Sequence, residues 1–173
     1  MHKKAKKGFT LIELMVTIAI IAIIAMIAAP ALGEFIDKTR LRGATDRLYA
    51  DMQFARSEAV KRNSSVSIKF STGNSWCYGI NSGGACDCNT VNACNIKTVH
   101  HNEFSGITLD SATFNASTTT FDPIRGVLSS TGLARLQSSG GKQTCVHMSL
   151  IGQIRLCSPD GSKNLGGYPT CNC

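Results

Sequence analysis

The chain has 173 residues and a formal net charge of +7, with 43% hydrophobic and 17% charged residues. This length suits one globular domain with one long additional element, and it leaves little room for a second core. Four of the positive charges lie in the first eight residues, so that only +3 would remain without them. Global charge alone therefore gives no argument for nucleic acid binding. The sequence has no P-loop, nucleophile elbow or dinucleotide fingerprint, so nothing in it favours an enzyme.

An apolar segment follows a basic leader at the start of the chain. Residues 9–29 read FTLIELMVTIAIIAIIAMIAA, with Glu13 as the single ionisable side chain, and are long enough to cross a bilayer as a helix. The four lysines of residues 1–8 predict an N-terminus on the cytoplasmic side of a membrane, with the chain after Pro30 on the other side. A secretory signal peptide has a shorter apolar core than this segment, and its cleavage site follows that core. Here Gly8 precedes the core, so cleavage at Gly8 would keep the helix.

The helix is predicted to continue beyond the membrane as an amphipathic segment that ends near Asn63. Pro30 should bend or loosen it, because proline removes a backbone donor and clashes one turn back. The predicted apolar face recurs at spacings of three and four residues and comprises Leu41, Ala44, Leu48, Met52, Ala55 and Ala59.

The remainder of the chain is predicted to form strands, which makes the fold class α+β. The strand candidates are residues 66–70, 76–80, 107–109, 118–122, 126–128, 145–150 and 153–157, and the last two should form a hairpin that turns at Ile151 and Gly152. Residues 82–95 are predicted to be a cysteine-stapled loop. His100, His101 and His147 are interpreted as surface residues, and the predicted aromatic core comprises Phe70, Trp76, Phe104, Phe114 and Phe121.

Eight cysteines lie beyond the predicted helix, at positions Cys77, Cys86, Cys88, Cys94, Cys145, Cys157, Cys171 and Cys173. An even number in a translocated domain predicts disulfides rather than zinc, because the two C-x-C spacings are too tight for a zinc knuckle. The hairpin register brings Cys145 near Cys157, whereas a rival pairing joins Cys157 to Cys171 or Cys173. The sequence leaves the connectivity open among 105 possibilities. No metal or cofactor is expected.

Residues 7–13, Lys-Gly-Phe-Thr-Leu-Ile-Glu, resemble the class III signal sequence of type IV pilins and type II secretion pseudopilins. The resemblance implies a prepilin peptidase that cleaves between Gly8 and Phe9 and methylates Phe9. It also implies that Glu13 pairs with the N-terminal amine of a neighbouring subunit, since a lone carboxylate in hydrocarbon is costly. Pro30 matches the helix-loosening proline of the family.

The segment LYADMQFARSEAVKRNSSVSI, residues 48–68, is similar to GspH/FimT-type minor pilins and pseudopilins. The two resemblances together imply a type IV pilin-like fold with four parts: a cleaved leader (1–8), a transmembrane and filament-core helix (9–34), an amphipathic helix half (35–63) and a β-rich periplasmic region (64–173). The implied function is that of a minor pilin in pilus assembly or initiation, with the filament tip as one expected location. An H-type pseudopilin of type II protein secretion is the alternative. Other pilins or pseudopilins are the implied partners, and the implied location is the inner membrane, with the C-terminal domain in the periplasm, and then the pilus or pseudopilus.

DNA-binding members of the FimT branch carry a Gly-Arg-x-Arg motif, and this chain has Gly152-Gln153-Ile154-Arg155. The first arginine is replaced by Gln153, which can donate a hydrogen bond to phosphate but adds no charge. The resemblance therefore implies a third hypothesis, a DNA-binding minor pilin of natural transformation. Its candidate surface consists of Gly152, Gln153 and Arg155 together with Arg125, Arg135, Lys142 and Lys163.

Overall fold

The computed structural model describes residues 9–173, apart from the side chains of Ala29 and Pro30. The chain forms two compact units, one ending at Ile36 and the other comprising Asp37–Cys173. One helix, α1 (Leu11–Arg62), runs through both units. Gly8, the predicted cleavage position, lies outside the described residues, as does the side chain of Pro30.

The second half of α1 packs through the face that its apolar periodicity predicts. All six predicted positions on this face are at most 3% exposed. The helix ends at Arg62 because Asn63 adopts a left-handed conformation, with φ of 46°, and the backbone N–H of Ser64 turns back to the Ala59 carbonyl. Asparagine tolerates this conformation better than most residues do. The long helix packed on antiparallel strands is thus confirmed.

Four antiparallel strands form the first sheet, in the order β3-β2-β1-β5. These strands are β1 (Val66–Ser71), β2 (Cys77–Ser82), β3 (Lys97–His100) and β5 (Thr118–Phe121). In β1 the side chains of Val66, Ile68 and Phe70 are buried, as their alternation predicts.

The second sheet has the order β4-β6-β7-β8 and is also antiparallel. Its strands are β4 (Ile107–Ala112), β6 (Gly132–Ser138), β7 (Gln143–Met148) and β8 (Ile154–Cys157). A bridge between Gly73 and Leu109 joins the two sheets. Side chains of α1 and of both sheets share one core, which includes the aromatic residues Phe70, Trp76, Phe114 and Phe121, with Phe104 packed at its margin.

Two strands were not predicted, and one predicted strand is absent from the described structure. The prediction for residues 126–128 is wrong because Gly126 has φ of 60° and donates its N–H to Asp122 within a turn, which leaves only a single bridge at Leu128. A strand needs negative φ throughout. The missed strands are β3 and β6. In β3 only Val99 is buried, which is too little to produce an alternating pattern.

Four disulfides staple the domain, as predicted for this fold, and they fall into two pairs. Cys77–Cys88 and Cys86–Cys94 hold the loop of residues 82–95. This loop packs over Gly79, where any Cβ atom would collide with the sulfurs of Cys94 and Cys86. The other two bridges, Cys145–Cys173 and Cys157–Cys171, fix the C-terminal tail to β7 and β8. Cys145 and Cys157 are register partners on neighbouring strands, yet each one pairs with the tail.

Candidate assembly helix and binding surfaces

The start of α1 places Glu13 in the first helical turn. Its backbone N–H donates to the Thr10 hydroxyl at 3.3 Å, and the N–H of Leu14 donates to the Thr10 carbonyl at 3.2 Å. Thr10 therefore caps the helix. A carboxylate three residues after the cap is favoured by the positive end of the helix dipole. Phe9 precedes this cap and is 75% exposed.

The apolar part of α1 has no cover within its own unit. Leu11–Ala28 are long and apolar enough to cross a membrane, and none of this window is buried by the chain. Exposed apolar surface of this extent is not found on ordinary soluble monomers. Such a surface is suited to burial in lipid or against other helices.

Arg155 lies beside His147 on the outer face of the second sheet. The two residues are register partners on β8 and β7, and alternation places their side chains on the face opposite the core. Arg155 is exposed and His147 is half-buried. Together with Pro169, Thr170 and Asn172 of the tail they line a groove of about 480 Å³. Arg155 is the residue of the predicted DNA-binding surface that lines this groove.

Two of the other predicted basic residues are engaged by the protein itself. Arg135 donates to Asp110 at 2.7 Å and to the Cys173 carbonyl at 3.1 Å. Lys142 donates to the Ser162 carbonyl at 2.9 Å. Lys163 is exposed in the same region, at the end of a short 3-10 helix, Gly161–Lys163. Lys142 and Lys163 thus adjoin the turn that precedes β7.

Arg125 and Gly152 lie at the opposite end of β7, in two turns that touch each other. The N–H of Leu128 donates to the Leu150 carbonyl at 2.9 Å, and a Cβ atom on Gly152 would collide with the Gly126 carbonyl. Arg56 of α1 donates to the Gly152 carbonyl at 3.3 Å. The six residues of β7 separate this end from Lys142 by roughly 20 Å. The predicted basic residues therefore do not form one compact patch.

Asp51 is a buried polar residue that the sequence interpretation overlooked. It is 4% exposed and accepts hydrogen bonds from Tyr78 at 2.8 Å and Lys97 at 2.5 Å. Arg47 lies 3.4 Å away on the preceding helical turn. Burial, and next the negative charge of Asp51, raise the pKa of Tyr78 well above its ordinary value. The sequence signal that could have revealed this network is a carboxylate amid an apolar helix face, because a buried carboxylate needs polar partners.

Glu58 is a second buried carboxylate, at the end of α1. Arg62 donates to it at 2.5 Å, and Lys61 lies 3.4 Å away. The hydrogen bond from Arg62 is the main reason that the pKa of Glu58 is lowered. These ion pairs fix the last turn of the helix just before the chain enters β1.

Cysteine sulfurs form the only cluster of metal-ligand type among the described residues 9–173. The sulfurs of Cys157, Cys171 and Cys173 lie within 4.8 Å of one another. All three belong to disulfides, which leaves no thiolate to bind a metal.

Comparisons with known proteins agree with this architecture. Residues 44–164 match the family described as type II transport protein GspH, and residues 3–29 match the prokaryotic N-terminal methylation motif. Fimbrial protein EcpC of Eikenella corrodens is 41% identical over 61 residues, which cover 30% of this chain and 40% of EcpC. The match thus spans less than half the length of that relative.

The crystal structure of the type IV minor pilin FimU of Pseudomonas aeruginosa in space group P21 is similar in fold. It has a TM-score of 0.52 and 22% identity, with coverage of 70% of this chain and 91% of FimU. A second FimU crystal form gives a TM-score of 0.48. The GspH match covers well over half of the chain and includes the last 19 residues of α1 and the eight strands of the described residues. The chain therefore belongs to the GspH family and is a GspH/FimT-type pilin-like protein with an N-terminal methylation motif.

Proposed function

We propose that this protein is a minor subunit of a type IV pilus and acts in pilus assembly or initiation. The observation that carries the proposal is the apolar segment Leu11–Ala28, which nothing in its own unit covers. A helix of this kind can lie in lipid before assembly and among the helices of other subunits afterwards. The family is structural rather than catalytic, which agrees with such a role.

Processing and orientation are part of the same proposal. A prepilin peptidase removes residues 1–8 by cleavage after Gly8 and methylates Phe9. The lysines of the leader keep the N-terminus in the cytoplasm, so that Asp37–Cys173 enters the periplasm. Four disulfides support this location, since disulfides persist in oxidising compartments.

Deletion of the gene tests the assembly role. We expect fewer surface pili on the deletion strain, counted by electron microscopy, and recovery when the full chain is supplied in trans. Normal piliation without the protein would contradict the proposal.

An H-type pseudopilin of type II secretion is the second candidate, and the description of the matching family favours it. On this alternative the deletion strain keeps its pili but retains exoproteins in the periplasm. Fractionation of the same strain for a secreted enzyme separates the two candidates. Unchanged secretion would exclude the pseudopilin.

Duplex DNA binding is a third candidate, and it rests on the open pair Arg155 and His147. Phosphate contacts make such binding weaken steeply with salt. We expect the Arg155→Ala variant of residues 35–173, purified oxidised, to bind a DNA duplex severalfold more weakly than wild type at low salt. Lys163→Ala, at the far end of β7, is the matched control. Absence of binding, or equal binding by wild type and Arg155→Ala, would exclude this surface as a DNA site.

A further inference from the structure

Three aliphatic side chains project into solvent from the two touching turns at the end of β7. Ile124 is 82% exposed, Leu150 54% and Ile151 71%. We call these three residues, together with Arg56 and Arg125, the tip surface. Isolated exposed aliphatic residues are ordinary, but three on two turns in contact are the pattern of an interaction site.

Hydrogen bonds from backbone N–H groups fix the backbone of both turns. In one turn the Asp122 carboxylate accepts the N–H groups of Ile124 and Arg125 at 3.0 and 2.9 Å. In the other, the N–H of Gly152 donates to the Ser149 carbonyl at 2.9 Å. A surface that is rigid before binding loses little conformational entropy when a partner binds.

The charge of the tip surface indicates what chemistry a partner must have. Arg125 is exposed beside Ile124, and Arg56 is half-buried between the two turns. Asp122 is the nearby acid, and it is occupied by the backbone of its own turn. A complementary surface therefore carries apolar side chains flanked by at least one carboxylate.

We propose that the tip surface docks a neighbouring pilin-family subunit through an apolar, acidic face of that subunit. This rests on the proposed function, because assembly beside other pilins is what brings such a partner to this domain. Nucleic acid would use Arg56 and Arg125 but would leave the three aliphatic side chains without contacts. A protein partner uses both kinds of side chain.

The test places a photo-crosslinking amino acid at position 151 or 124 of the full chain in its own cells. Position 91 is the matched control, because Val91 is 87% exposed but lies in the stapled loop. We expect one discrete adduct from positions 151 and 124, with a pilin-family subunit identified by mass spectrometry, at least fivefold above the yield from position 91. Arg125→Glu should lower that yield at least threefold.

Several outcomes would overturn the inference: no adduct, an adduct with DNA or with a protein outside the pilin family, or equal yields from positions 151 and 91. Immunoblots of sheared filaments from the same cells test the proposed function separately. If the chain is in filaments without an adduct from position 151, only the docking inference fails. If the chain is absent from filaments but gives the pilin adduct, docking stands and the filament role fails.

Discussion

Asp51 joins α1 to the first sheet through groups that come from two different strands. Tyr78 lies on β2 and Lys97 on β3, and both donate to its carboxylate. The register pairs β2 with β3, so one helical residue reaches both strands. The sequence predicted the helix face but not this network, since neither partner belongs to a recognisable motif.

Replacement of Asp51 by alanine should destabilise the domain. Removing one member of a buried ion pair costs about 3 to 5 kcal/mol, and because Lys97 remains 23% exposed we expect about 2 to 3 kcal/mol. Urea unfolding of residues 35–173 measures this loss. Asp46→Ala, at an exposed helical position that accepts from Tyr168, should cost less than about 1 kcal/mol. Equal losses for the two variants would show that the Asp51 network contributes little.

Glu58 should make stability depend on pH in the acid range. Its pKa is lower in the folded state than the ordinary value of 4.5, chiefly through Arg62. The contribution is therefore present above pH 4.5 and is lost as the pH falls through the folded pKa. We expect Glu58→Gln to flatten the decline in unfolding free energy below pH 4.5, measured by urea titration. The exposed Glu103→Gln serves as control, and an unchanged slope in the Glu58 variant would refute the linkage.

At the scale of elements, the strands with clear alternation could be predicted and those without it could not. β1 buries three large apolar side chains, and the β7–β8 hairpin alternates on both sides of its turn. In β6 the buried positions are Ala134, Leu136 and Ser138, and since only two of them are apolar, the pattern is too short to recognise. The strand predicted at residues 126–128 is the opposite error, a strand that does not form. The composition favours a strand there, but the positive φ of Gly126 is incompatible with strand pairing.

The C-terminal tail is the element for which disulfide pairing matters most. Because Cys157–Cys171 stays closed inside it, Cys145–Cys173 closes an effective loop of about 14 residues, whereas Cys86–Cys94 closes 8, so the chain-entropy estimate gives about 3.0 and about 2.5 kcal/mol. We expect the Cys145→Ala, Cys173→Ala double variant to lose about 0.5 kcal/mol more than Cys86→Ala, Cys94→Ala. Urea unfolding of both oxidised variants measures the difference. A larger loss from the 86–94 variant would show that the stapled loop, rather than the tail, dominates.

At the scale of the whole molecule, the N-terminal pattern predicted the fold because its chemistry is unusual. An uncovered apolar helix with one carboxylate in its first turn has few stable environments. The binding surfaces were harder to predict, since sequence spacing does not show which basic residues face the same way. Arg155 keeps an open position beside His147, whereas Arg135 is paired with Asp110, and Lys142 and Lys163 lie beyond the far end of β7. The tip surface arises from two turns that are distant in sequence.

We propose that the chain enters a filament through its processed N-terminal helix and that Glu13 is required for assembly. The most direct measurement is mass spectrometry and immunoblotting of sheared filaments and membranes from cells that express the wild-type chain or the Glu13→Ala variant. We expect wild type in the filaments, without residues 1–8 and methylated at Phe9. The Glu13→Ala protein should be processed in the same way but remain in the membrane. Wild-type chain that never leaves the membrane, or the variant in filaments at wild-type levels, would contradict the claim.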